Sequence, residues 1–238
     1  MHYNWRWSVL TEAPYAEWLI SGLGWTILVT VCAWTIALPI GVLAGAGRAA
    51  RAPSIRFVAG TYVEVVRGVP LLVQLFLWFF VLPEILPASA GRWLKRELWY
   101  PETITAIICL GFYTSARVAE QVRASVGSIS RDMSRAALAT GLSESQVFAF
   151  VLLPIGLRIS IPTLTSEFLA LLKNSSVALA VGVLELTAQA RRVENYTFQA
   201  FEAFTAATVL YLLCSLIVVR ISRLTERRAA LPGYMETK

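Results

Sequence analysis

One histidine, His2, and three scattered cysteines, Cys32, Cys109 and Cys214, are a thin supply of soft ligands for 238 residues. No C-x-x-C pair occurs and no Cys/His/Asp group has ligand spacing, so neither a disulfide framework nor a metal site is indicated. The cysteines all fall in apolar runs, where a free thiol behaves as a small buried hydrophobe. A G-x-x-x-x-G-K-[ST] phosphate loop is missing, which excludes nucleotide hydrolysis by this chain. A G-x-S-x-G elbow is missing too, and with it α/β-hydrolase chemistry. Low-complexity tracts, long soluble linkers and short-period repeats are likewise lacking. Charge is scarce: 15% charged against 57% hydrophobic residues, with a mean hydropathy of +0.62, is too apolar for an ordinary soluble domain.

What is present is hydrophobicity at span length. Apolar stretches run from about Trp18 to Ala46, Phe57 to Leu82, Thr103 to Val122, Ile161 to Val183 and Phe201 to Val219. A span needs roughly 20 apolar residues, so the chain holds about five, an all-α polytopic membrane protein with no room for a separate soluble domain. Met1 to Glu17 lacks the basic start and small-residue cleavage site of a signal peptide, so the first stretch is expected to stay as a span.

The net charge of +6 does not point to nucleic acid, because the basic residues lie scattered between apolar stretches. They read as topology signals. Arg48, Arg51 and Arg56, then Arg123, Arg131 and Arg135, then Arg220, Arg223, Arg227 and Arg228 fall on one side of a five-span chain. Arg6, then Arg92, Lys95 and Arg96, then Arg191 and Arg192 lie opposite, offset by Glu84, Glu97, Glu102 and Glu194. The positive-inside rule places the N-terminus outside and the C-terminus in the cytoplasm. Trp78, Trp93, Trp99 and Tyr100 suit an aromatic belt at the outer ends. Within the second stretch, Gly68-Val69-Pro70 predicts either a break or an ordinary proline kink near Val69, since proline removes a backbone donor and clashes with the preceding turn. Broken spans are tolerated where they line a cavity or pack on protein.

Between the third and fourth stretches, about 128–150, the sequence predicts two short helices. Ser130 caps the first, Asp132 favours its first turn, and Gly141 supplies the left-handed residue that ends it. Ser143-Glu144-Ser145-Gln146 forms a capping box for the second. Ala136, Ala137, Leu138 and Ala139 make a surface of little bulk, which lets another protein approach the backbone.

The pattern Ala136-Ala137, three residues, Gly141, nine residues, Val151-Leu152-Leu153-Pro154 resembles the "EAA" loop of permease subunits in ABC importers. Arg67-Gly68-Val69-Pro70-Leu71-Leu72-Val73-Gln74, Glu120-Gln121-Val122-Arg123 and Lys173-Asn174-Ser175-Ser176-Val177 resemble the recurrent blocks of the polar amino acid branch. Thr114-Ser115-Ala116-Arg117-Val118 and the stretch from Arg228 to Gly233 are most similar to glutamate/aspartate permease subunits. The resemblance covers nearly the whole chain and implies a single permease domain over 1–238. Its loop is implied to be the coupling helix, with Ala136, Ala137, Leu138, Gly141 and Leu142 docking on a cytoplasmic ATPase. Arg135 stands where the family usually has Glu, so no role for that carboxylate carries over. Two permeases, here a related pair of different chains, an ATPase dimer that holds the ATP and Mg, and an extracytoplasmic amino-acid-binding protein are implied in the bacterial inner membrane. This chain itself is expected to bind no cofactor and to be no enzyme.

Ionisable residues inside spans are costly unless they line a path or pair internally. Arg117, Glu120, Glu167 and Lys173 are such residues. Arg117 can take the side-chain carboxylate of glutamate or aspartate in a bidentate fork; alternatively it pairs with Glu120, three residues on. Lys173, Asn174, Ser175 and Ser176 offer further donors, or else bond across helices as packing contacts. Glu167 and Lys173, six residues apart, are out of i,i+3 and i,i+4 register, which leaves each to a partner on another helix or subunit. Glutamine, basic or general polar amino acids remain alternative substrates, and a membrane enzyme or passive channel alternative classes.

Overall fold

The computed structural model describes residues 3–229; expectations resting on the Arg227 and Arg228 side chains and on the stretch from Arg228 to Gly233 lie outside the described residues. Regular structure among the described residues is helical throughout, with no strand. In chain order the α-helices are α1 (Tyr15–Ala49), α2 (Pro53–Gly68), α3 (Leu71–Phe76), α4 (Leu82–Ile85), α5 (Ala88–Arg92), α6 (Pro101–Gly127), α7 (Arg131–Ala139), α8 (Glu144–Val147), α9 (Leu153–Asn174), α10 (Leu186–Thr197) and α11 (Ala200–Ala229).

Three helical runs are long and apolar enough to cross a membrane: Tyr15–Ala49, Glu144–Val181 and Ala200–Glu226. The pair Pro53–Gly68 and Leu71–Ile85 makes a fourth when counted as one broken span, bent by 98°. The interruption lies where the sequence put it, and of the two alternatives it is the break. Val69 (φ −106°, ψ 130°) and Pro70 (φ −56°, ψ 140°) are both extended, and the helix restarts at Leu71. The remaining stretch, Thr103 to Val122, lies inside the 27 residues of α6. At 1.5 Å per residue that helix is about 40 Å long, enough for a bilayer core of about 30 Å. It is absent from the apolar set because Arg117 and Glu120 lower its hydropathy. The chain is a polytopic all-α membrane protein.

Packing divides into two compact units. The first comprises Met1–Trp34, Pro70–Gly111 and Leu169–Val218. Its core gathers Val9, Leu19, Leu186, Ala190, Val193, Ala203 and Ala207. Arg192 stacks on the Trp18 ring at 3.9 Å. Trp93, Trp99 and Tyr100 are exposed, as an interfacial belt requires, and Trp78 is half-buried. Of the cysteines, Cys109 is buried and Cys32 and Cys214 are only partly so, short of the full burial expected from their apolar context.

Glu185 is the N-cap of α10 and wholly buried. Its oxygens accept from the Thr187 and Ala188 amides at 2.9 and 2.8 Å and from the Tyr211 hydroxyl at 2.7 Å. Burial pushes its carboxyl up from the usual carboxylate range, against those three donors. Glu185→Ala removes the cap and leaves the Tyr211 hydroxyl with Thr187 Oγ1 at 3.1 Å in place of the carboxylate. The expected loss is about 2–3 kcal/mol, read as a lowered unfolding temperature of the purified complex in detergent.

The second unit comprises Thr35–Val69, Phe112–Phe168 and the chain from Val219. Val63, Ala116 and Ala119 form its core, with Ala44, Tyr62 and Val66 against them. Helices α1 and α6 approach at two glycines. A Cβ on Gly41 would sit 2.5 Å from Val118 Cβ, and one on Gly45 2.6 Å from the Ala119 carbonyl oxygen. This contact sets the rotation of α6 against α1, with Glu120 reaching Arg48 at the end of α1 and Arg117 reaching Glu167 on α9.

Candidate functional site

In Thr114-Ser115-Ala116-Arg117-Val118 every residue but one is buried, Ala116 and Val118 completely. Only the Arg117 side chain, 41% exposed, reaches out of the packed face of α6. Its partner is Glu167 on α9, whose side chain is 7% exposed: Nε donates to Oε2 at 2.6 Å and Nη2 to Oε1 at 3.4 Å. Gln121 Nε2, one helical turn beyond Arg117, donates to the same Oε1 at 3.0 Å. The Glu167 carboxylate thus has one cation and one amide on it, which offsets the cost of holding it inside the protein.

The pairing of Arg117 with Glu120 does not form. Three residues on a helix differ by about 300° of rotation, near enough to meet, yet Glu120 has stronger suitors. Arg48 at the end of α1 donates to Oε2 at 2.6 Å, Arg123 to Oε1 at 2.5 Å, and Arg67 Nη1 lies 3.5 Å from Oε2. One carboxylate therefore ties α1, α2 and α6 together, and both its oxygens are engaged.

Lys173, Asn174, Ser175 and Ser176 belong to the first unit, apart from Arg117 and Glu120 in the second. The serines are not presented as free donors. Ser175 is fully buried and donates to the Leu172 carbonyl at 2.7 Å, and Ser176 donates to the Lys173 carbonyl at 2.7 Å. A hydroxyl that bonds back to its own helix keeps only acceptor capacity. Lys173 is exposed and makes no ion pair among the described residues, and Asn174 is half-buried.

The loop after α6 forms as its caps dictate. Ser130 Oγ accepts from the Met133 amide, Asp132 lies in the first turn of α7, and Gly141 follows the helix at φ +88°. Both bonds of the Ser143/Gln146 capping box are made. Ala136, Ala139 and Gly141 are exposed, while Ala137, Leu138 and Leu142 are half-buried. Glu144, at the start of α8, forms an ion pair with Arg51 in the α1–α2 connection. That tie was not legible in the sequence, where the two residues are far apart.

A family described as "Binding-protein-dependent transport system inner membrane component" matches residues 37–231. The chain belongs to this family. It is a transport subunit of the cytoplasmic membrane and not an enzyme, and membership implies an ATPase, a binding protein and a second permease as partners. Among curated relatives, the glutamate/aspartate import permease protein GltJ of Escherichia coli strain K12 is 41% identical over 250 residues, covering 100% of both chains. The glutamine transport system permease protein GlnP of the same organism is 33% identical over 215 residues, 90% of this chain and 94% of that one. A solved amino acid ABC transporter, crystallised with histidines, superposes with a TM-score of 0.78 at 28% identity, covering 96% of this permease and 100% of that chain. The inward-facing methionine transporter MetNI, at 19% identity and a TM-score of 0.68, shares the fold.

Proposed function

We propose that this permease moves glutamate and aspartate into the cytoplasm, with Arg117 receiving the side-chain carboxylate. The observation that carries this reading is a guanidinium held by Glu167, whose carboxylate Gln121 also anchors, yet 41% exposed, the one accessible side chain of a packed block. An arginine fork pre-oriented by a carboxylate loses little freedom when it takes a second one. The full-length likeness to the glutamate/aspartate permease supports the same substrate. Lys173 and Asn174 are proposed to meet the remaining polar groups, while Glu120 holds the helices that frame the path and Ser175 and Ser176 contribute only as acceptors.

The permease is read as one domain of five spans, α6 being the third, with the N-terminus outside and the C-terminus in the cytoplasm. It binds no cofactor itself: ATP and Mg sit on a cytoplasmic ATPase dimer that docks on Ala136, Ala137, Leu138, Gly141 and Leu142. A related, different chain serves as second permease, and an extracytoplasmic amino-acid-binding protein delivers substrate. Glutamine is the alternative substrate, favoured by the 33% identity to a glutamine permease. ATP-driven uptake of labelled glutamate into vesicles holding the complete complex decides the matter. Competition by aspartate, and not by glutamine, arginine or histidine, is the expected result; best competition by arginine or histidine overturns the acidic assignment.

A further inference from the structure

The connection between the broken span and α6 folds into a small basin. Helix α5 continues through a π turn over Trp93–Glu97, and along this segment Ala88, Gly91, Arg92 and Lys95 recur at three- and four-residue spacing, on one face. That face meets Pro83, Glu84 and Leu86 at the end of the broken span, and together they line a cavity of about 400 Å³, the size of a small-ligand pocket. The two walls join at Gly91, which is buried and where a Cβ would run into the Pro83 carbonyl oxygen.

Glu84, Arg92 and Lys95 all line this cavity, two cations and one carboxylate. Lys95 Nζ donates to Glu84 Oε1 at 2.5 Å, and the pair stays open to solvent, 41% and 72% exposed. Arg92 is exposed, donates from Nε to the Ala88 carbonyl at 3.2 Å and makes no ion pair among the described residues. Topology does not ask for these cations, since positive charge on an outer connection runs against the positive-inside rule. Two cations and a carboxylate around one small cavity are the charge complement of an acidic amino acid, which carries two carboxylates and one ammonium.

We infer that this basin is an outer reception site for the free acidic amino acid, with one carboxylate on Arg92, the other on Lys95 and the ammonium on Glu84. The inference rests on the acidic substrate and the outward placement of this connection given under the proposed function. Inorganic phosphate or a plain anionic headgroup would satisfy the cations but meet Glu84 with no positive group of its own. A neutral or basic amino acid would leave one of the cations unanswered. The acidic amino acid replaces the Lys95–Glu84 pair with two pairs of its own and strands nothing. Pairs this exposed hold weakly, as a station that hands its substrate on requires.

The test is protection of Lys95 from a membrane-impermeant amine-acylating reagent, added outside right-side-out vesicles that hold the complete complex and read by mass spectrometry. Saturating free glutamate or aspartate is expected to slow acylation about tenfold, the worth of one charge-assisted contact, while glutamine, arginine, glutarate and phosphate at equal ionic strength slow it less than about twofold. Arg92→Gln should react at the wild-type rate without glutamate and lose the protection, Arg92→Lys should keep most of it, and Arg117→Gln should keep all. Equal protection by glutarate or phosphate, or undiminished protection in Arg92→Gln, overturns the site. Protection lost in Arg117→Gln would trace the signal to that arginine and overturn it too. So would protection by the liganded binding protein but not by free glutamate, which would make the basin a docking surface, and acylation of Lys95 from the cytoplasmic face alone. Uptake of labelled glutamate by the same vesicles separates the two readings: uptake without protection removes the basin and leaves the substrate assignment standing, whereas absence of both removes both.

Discussion

Replacing Arg117 by Gln is expected to raise the KM for glutamate uptake ten- to roughly hundredfold, the cost of a lost charge-assisted fork at about 1.5–3 kcal/mol. Arg117→Lys should fall between, because an ammonium keeps the charge and loses the planar geometry. A structural role for the pair would mimic this result, since Arg117→Gln strands Glu167, whose side chain is 7% exposed, with Gln121 alone. Breaking one side of such a pair costs about 3–5 kcal/mol, while replacing both sides is often neutral. The double change Arg117→Gln with Glu167→Gln separates the two. If the arginine meets substrate, the double variant assembles normally and still fails to take up glutamate. Recovery of uptake in the double variant would reduce Arg117 to a packing partner and sink the substrate role.

The sequence made local structure legible and left long-range pairing hidden. Ser130, Gly141 and the Ser143/Gln146 box cap and end helices through bonds to residues three or four away, so composition alone places them. The break at Val69 and Pro70 is equally local, a missing amide and a steric clash. Arg117 is the opposite case. Its partner lies 50 residues along the chain on α9, and within α6 nothing distinguishes a reach towards Glu120 from a reach across to Glu167. The i,i+6 spacing of Glu167 and Lys173 did exclude their mutual pairing and pointed each to another helix, which holds for Glu167. Glu120 offered itself in sequence only as a partner for Arg117, because Arg48 and Arg67 come to it only once α1 and α2 pack against α6. The serines misled for a different reason: an i−3 carbonyl is always available to a helical serine, and sequence cannot say whether the hydroxyl takes it.

Adding bulk to the exposed face of α7 should disconnect the permease from its energy source while leaving the permease itself folded. Ala136 is exposed, so the variant should insert and hold its helices. A docking groove shaped to a backbone approached at alanine distance has no space for an indole, and misfit at the centre of such an interface costs about 2–4 kcal/mol, roughly 30-fold or more in association. The expected readout is loss of the ATPase from the purified complex and loss of ATP-driven uptake together. Glu144→Gln serves as the contrast: it removes the ion pair with Arg51 but leaves the capping box and the small-residue face intact, so the ATPase should co-purify. An Ala136→Trp complex that retains its ATPase and transports at the normal rate would move the docking surface off α7 altogether. The neighbouring Arg135, 76% exposed and paired with Asp132 at 3.4 Å, would then be the first cation to examine for the partner's position.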